Sequence, residues 1–85
     1  MKIRIKIKNQ TAEVLLFAGR KIIDRELLAD FGRLSEELLP AVDRLLKRHK
    51  ITLRDIQKID SAIDLPESYT ATRIVKAVVK GLSSV

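Results

Sequence analysis

The chain has 85 residues, no cysteine, 46% hydrophobic residues and a net charge of +6. That length supports one domain with a thin core, and the composition is globular rather than disordered. Disulfides and thiolate metal sites are excluded, a single histidine (His49) is too few for a zinc site, and no apolar run reaches the length of a membrane span.

The first eight residues, MKIRIKIK, lack the apolar segment of a signal peptide, so the expectation is a cytoplasmic protein. Lys2 to Lys8 alternates strictly, the pattern of a half-buried strand, with Ile3, Ile5 and Ile7 on one face and Lys2, Arg4, Lys6 and Lys8 on the other. Asn9-Gln10 is predicted to turn the chain into a second strand, Thr11 to Ala18. Ala18-Gly19 leads into a third, Arg20 to Leu28, with Gly19 free to take positive φ. The three make an antiparallel meander.

The period then changes. Leu34, Leu38, Leu39, Val42, Leu45 and Leu46 have helical spacing, predicting a helix over 34–49. Glu36 and Glu37 near its start and Lys47, Arg48 and Lys50 near its end complement the macrodipole, and Ser35 is the expected N-cap. Pro40 falls just past the first turn, which calls for an earlier start with a kink or a later true start. Thr52 to Asp55 has capping-box form, and Lys58 to Leu65 alternates as a fourth strand. A second helix spans about 70–82, its apolar side carrying Ala71, Ile74, Val75, Val78, Val79 and Leu82 while Arg73, Lys76 and Lys80 face water. The order βββαβα predicts a small α/β (α+β-like) domain, a four-stranded mixed sheet with two helices on one face.

Both helices present apolar arcs of about 140–160°, where covering a sheet needs only about 100°. Part of the excess is helix–helix contact. The rest is read as a partner surface, because β-branched Val75, Val78 and Val79 are poor helix formers that packing must justify. The expected contact residues are Leu38, Val42, Leu45, Leu46, Ile74, Val75, Val78, Val79 and Leu82; which of them face the sheet stays open at this level.

From Leu38 onward, LLPAVDRLLKRHKITLRDIQKID followed by LPESYTATRIVKAVVKGL resembles the N-terminal lobe of the TsaB (YeaZ) family. That family shows E-x-L-L-P-x-I/V, then T/S-L-x-D-I, a strand, and G-P-G-S-F-T-G-x-R-I-G leading into a helix ending G-L. The elements retained are Leu38, Leu39 and Pro40; Leu53, Asp55 and Ile56; Pro66, Ser68, Thr70, Arg73 and Ile74; and Gly81 and Leu82, with Tyr69 in place of phenylalanine. The resemblance implies half of an actin-like (RNase H-like) fold and a role beside a TsaD-type catalytic subunit in tRNA threonylcarbamoyladenosine (t6A) synthesis. TsaB-type proteins are regarded as non-catalytic scaffolds whose corresponding helices carry self-association and the TsaD contact.

The departures matter as much. Glu67, Ala71 and Val75 stand where the family motif has glycine, and no Asp-Thr-Ser follows the first strand. A phosphate approaching this loop would meet Glu67 and be repelled. No cofactor and no metal are therefore expected. The family's first lobe also continues with a fifth strand and a third helix. The cations of the first strand, with Lys58, Asp60 and Asp64 of the fourth, suggest that the face such a helix would cover is written for water, which reads as a self-standing, shortened protein.

Three functions follow as expectations. The first is a non-catalytic scaffold, docking through its helices as a homodimer or with a TsaD-like subunit. The second is an accessory nucleic-acid module, in which Lys2, Arg4, Lys6 and Lys8 hold tRNA phosphates without reading bases. Only Phe17, Phe31 and Tyr69 are aromatic, which leaves no stacking platform, and lysines that keep a small sheet soluble explain the charge more simply. The third, an enzyme using His49, or Ser68, Thr70 and Arg73, is the weakest, since such residues at helix ends are commonly caps and no acid–base pair has useful spacing.

Overall fold

The alternation of β1 (Lys2–Lys8) becomes a clean division of the sheet: Ile3, Ile5 and Ile7 are buried, while Lys6 and Lys8 are exposed. The computed structural model describes residues 1–28, 30–66 and 68–83. After β1 come β2 (Thr11–Ala18), β3 (Lys21–Leu27), α1 (Leu34–Arg48), β4 (Lys58–Ile63) and α2 (Thr70–Ser83), the predicted order. The sheet runs β3-β2-β1-β4, with β1–β2 and β2–β3 antiparallel and β1–β4 parallel. The turns fall where expected, with Asn9 at φ 57° and Gly19 at φ 63°.

Both helices lie on the isoleucine face. Leu34, Leu38, Ala41, Val42, Leu45 and Leu46 of α1 and Val75 of α2 close over Ile3, Ile5, Ile7, Val14 and Leu16. Each fully buried aliphatic side chain contributes roughly 1.5–3 kcal/mol relative to its exposed state. Among the described residues this layer between helices and sheet is the main core.

The start of α1 corrects two expectations. A 3-10 turn (Phe31–Arg33), capped by Asp30, whose carboxylate accepts from the Gly32 amide at 2.9 Å, delivers the chain into α1. The N-cap is therefore Arg33, with no side-chain cap bond, and Ser35 sits inside the helix. The helix starts at Leu34 with Pro40 in its interior, neither earlier nor later. Pro40 is exposed, so the carbonyl that its missing N–H leaves free can be met by water. At the other end Lys50 adopts φ 56°, and the Ile51 amide returns to the Leu46 carbonyl at 3.0 Å, a Schellman closure without its usual glycine. The predicted capping box is present: the Thr52 amide donates to Asp55 Oδ2 at 2.8 Å.

The opposite face of the sheet is not purely a water face. Strand register aligns Ile22, Phe17, Lys2 and Lys58 in one row, Arg25, Leu15, Arg4 and Asp60 in the next, and Leu27, Glu13, Lys6 and Ala62 in a third. Leu15 and Phe17 are only 5% and 9% exposed although no helix among the described residues covers this side, so β2 is buried on both faces through the run Val14-Leu15-Leu16-Phe17. The cover comes from cation stems. Lys2 Nζ lies 4.8 Å and Arg4 Cζ 5.3 Å from the Phe17 ring centroid, and Arg4 is anchored by Asp60 through bonds of 2.9 and 3.3 Å. A bulge between Leu16 and Phe17 shifts the β2–β3 register, and Ile22 and Leu27 on the β3 edge stay exposed.

Candidate interaction surface

The nine expected contact residues divide once the helices are seated on the sheet. Leu38, Val42, Leu45, Leu46 and Val75 are buried in the chain's own core. Side chains already covered have no area left for a partner, so these five are core residues and not contact residues. Ile74, Val78, Val79 and Leu82 are half-buried and keep area to offer. The broad arcs seen in the sequence are thus mostly absorbed by the sheet and by the α1–α2 contact.

What remains on the helical layer is a groove of about 320 Å³ lined by Leu39, Ala77, Val78, Gly81 and Leu82. Leu39 is 50% exposed on α1, one position beside buried Leu38, and so points away from the sheet. Ala77 and Gly81, small and exposed on α2, form the floor, and a Cβ built on Gly81 meets no atom within 4 Å. Leu39, Ala77 and Gly81 were outside the expected set. The signal for Leu39 was in the sequence: it belongs to the apolar pattern but stands off the a/d-like line through Leu38, Val42 and Leu45.

Ahead of α2, the loop is tied down by one buried hydroxyl. Thr72 Oγ1 donates to the Pro66 carbonyl at 3.0 Å, and the Tyr69 amide returns to the same carbonyl at 3.1 Å. Ser68, Thr70 and Arg73 are exposed. The expected phosphate repulsion by Glu67 concerns a residue outside the described ones. Val75, one of the positions where the family motif has glycine, fills the core, and Ala71 packs against it. Beside the loop a cleft of about 680 Å³ is lined by Asn9, Gln10, Thr11, Phe31, Leu65 and Tyr69. It lies at the carboxyl ends of parallel β1 and β4, where α/β sheets commonly bind ligands, yet no charged side chain lines it among the described residues.

His49 belongs to a different assembly at the opposite end of α1. Its Nε2 lies 2.8 Å from Asp24 Oδ2, which also accepts from Arg48 Nε at 2.8 Å. Glu26 accepts from Arg44 Nε at 2.6 Å and from Arg48 Nη1 at 3.0 Å. Arg48, and after it His49, hold the Asp24 carboxyl well below the usual carboxylate range; Arg44 chiefly lowers Glu26. The cluster clips α1 to edge strand β3. Phe31 lines the cleft just before α1 begins and His49 follows its last residue, so some 15 residues, about 22 Å of helix, separate His49 from the loop hydroxyls.

On the open sheet face, Lys2 and Arg4 are engaged with Asp60 and the Phe17 ring, whereas Lys6 and Lys8 are exposed and without an ion pair among the described residues. The four-cation row therefore splits into a structural pair and an available pair.

No family model and no curated protein matches the sequence. Solved structures do. YeaZ from Pseudomonas aeruginosa superimposes with a TM-score of 0.80 at 22% identity, over 99% of this chain and 39% of that one. The fold is that of part of YeaZ. A second structure, of an uncharacterized protein with similarity to peptidase YEAZ from Pseudomonas aeruginosa, aligns with a TM-score of 0.79 at 22% identity and the same coverage. The chain thus resembles a TsaB (YeaZ) N-terminal lobe along its whole length, where the sequence carried the likeness mainly from Leu38 onward. It spans about two fifths of the YeaZ chain it matches.

Proposed function

We propose that the chain is a non-catalytic docking module with a TsaB-like role in t6A modification of tRNA, working through its helical layer. The observation that carries this reading is the apolar groove of Leu39, Ala77, Val78, Gly81 and Leu82, open on the side of the molecule away from the sheet. Its small residues let a second helix approach closely, and Leu39 and Leu82 flank them as anchors. The occupant is a homologous helical pair, either a second copy of this chain or a TsaD-like subunit, making a four-helix contact.

A role without catalysis is supported by the fate of the candidate chemical groups. His49 is taken up in the ion cluster with Asp24, remote from Ser68 and Thr70, and Thr72 is spent on a backbone bond. Among the described residues the lining of the cleft near Tyr69 is uncharged, which gives a phosphate or a metal no charged partner there. Calorimetry with ATP and magnesium tests this directly, and measurable binding would reverse it.

The docking reading is tested by sedimentation velocity and by co-purification from cells that contain a TsaD-like protein. The unmodified chain is expected to form a homodimer alone or to retain that protein, and Leu39→Asp is expected to abolish both. A monomer at high concentration that retains no TsaD-like protein would end the proposal.

A further inference from the structure

We infer that the open face of the sheet is a second docking surface, and that its occupant is an acidic amphipathic helix of another polypeptide. The helical groove lies on the opposite side, so this inference stands apart from the reading given above.

The face is divided lengthwise. Its β2–β3 half exposes the apolar side chains of Ile22 and Leu27 on β3, with Arg25 between them and Glu13 beside Leu27, and its β1–β4 half carries Lys2, Arg4, Lys6, Lys8 and Lys58 with Asp60. Leu27 is 61% and Ile22 46% exposed, both on the β3 edge and both outside the cover that the cation stems give Phe17. They stand two rows apart along the strand, roughly 13 Å. Residues seven or eight apart on a helix are separated by about 11–12 Å, so a helix of three turns laid along β2–β3 can set one apolar stripe on both. A helix about 10 Å wide covers two strands, which brings the flank of its stripe over β1. There Lys6 and Lys8 wait without ion pairs among the described residues, and acidic residues on that flank would meet them.

Two other occupants fit less well. Among the described residues the face sets six cations (Lys2, Arg4, Lys6, Lys8, Arg25 and Lys58) against the carboxylates of Glu13 and Asp60, so two copies meeting face to face would bring like charges together. A nucleic acid would satisfy the cations but leave Ile22 and Leu27 wet. It would also find no ring to stack on, since Phe17 lies under Lys2 and Arg4.

The test is fluorescence anisotropy on the intact chain with three labelled probes: a 14-residue helix-forming peptide with a leucine stripe flanked by glutamates, the same peptide with the leucines changed to glutamine, and a single-stranded oligonucleotide. The first probe is expected to bind at least about tenfold tighter than either other. Leu27→Asp, and separately the pair Lys6→Glu with Lys8→Glu, should each weaken it at least tenfold, while Leu39→Asp leaves it unchanged. All are exposed positions, and a melting curve for each variant confirms folding. Tighter binding of the oligonucleotide assigns the face to nucleic acid and overturns the inference. So do equal binding of the two peptides, absence of peptide binding, or affinity indifferent to both open-face changes.

Discussion

Val75 and Leu39 separate what holds the fold together from what the helical layer offers outward. Val75 is fully buried between α2 and the sheet, and Leu39 is half exposed at the groove. Truncating Val75 to alanine removes two buried methyl groups, each worth about 0.8 kcal/mol in transfer, plus a cavity contribution, for about 2 kcal/mol in all. A chain of this size has a total stability on the order of 4–13 kcal/mol, so the loss is a large fraction of it. At about 5 °C per kcal/mol for a domain this small, the midpoint should fall by about 10 °C. Leu39→Asp changes an exposed position and should move stability by no more than about 0.5 kcal/mol, while placing a charge in the proposed contact. Thermal unfolding by circular dichroism and sedimentation velocity, run on the same preparations, read the two effects separately. The expected pattern is a depressed melting temperature with association retained for Val75→Ala, and the reverse for Leu39→Asp. If Leu39→Asp costs as much stability as Val75→Ala, Leu39 is a core residue and the groove is not an interface.

Three further outcomes follow from local geometry. Lys50→Gly should raise stability by about 0.5–1 kcal/mol in denaturant titration, because Lys50 closes α1 at φ 56°, where a side chain is strained. Gly81→Ala should add up to about 0.5–1 kcal/mol of helix stability, since its Cβ meets nothing, while weakening association by narrowing the groove. Asp24 and Glu26 are both held below their ordinary values, so their contribution is complete above the unfolded carboxylate range near pH 4 and is lost as the pH falls through their folded values. Urea midpoints against pH should therefore fall on the acid side, and Asp24→Asn should lower the neutral plateau and flatten that fall.

The elements were legible because each carries its own period. KIRIKIK can bury three isoleucines only as a strand, and the register of β1 against β2 follows from putting Ile3, Ile5 and Ile7 with Val14 and Leu16. The contact surface was far less legible. An apolar arc shows how much of a helix is covered, not by what, and Leu38, Val42, Leu45, Leu46 and Val75 proved to serve the sheet. Thr72 escaped notice because its hydroxyl is satisfied by Pro66, a pairing no helical spacing reveals. The pairing of Asp24 and Glu26 with Arg44, Arg48 and His49 spans some 20 residues of chain, so no local spacing announces it.

The same tertiary accounting changes the meaning of the positive charge. Lysines scattered over a whole surface would argue for solubility alone. Here Lys2 and Arg4 are invested in covering Phe17, which lets β2 be buried on both sides in a sheet with one layer of helices. That cover runs out toward Lys6 and Lys8 on one side and Ile22 and Leu27 on the other, so the unspent charge and the unspent apolar area lie one strand apart, across β2. A surface that only had to stay soluble gains nothing from leaving Leu27 bare beside an anchored arginine row. A surface that receives an acidic helix needs both.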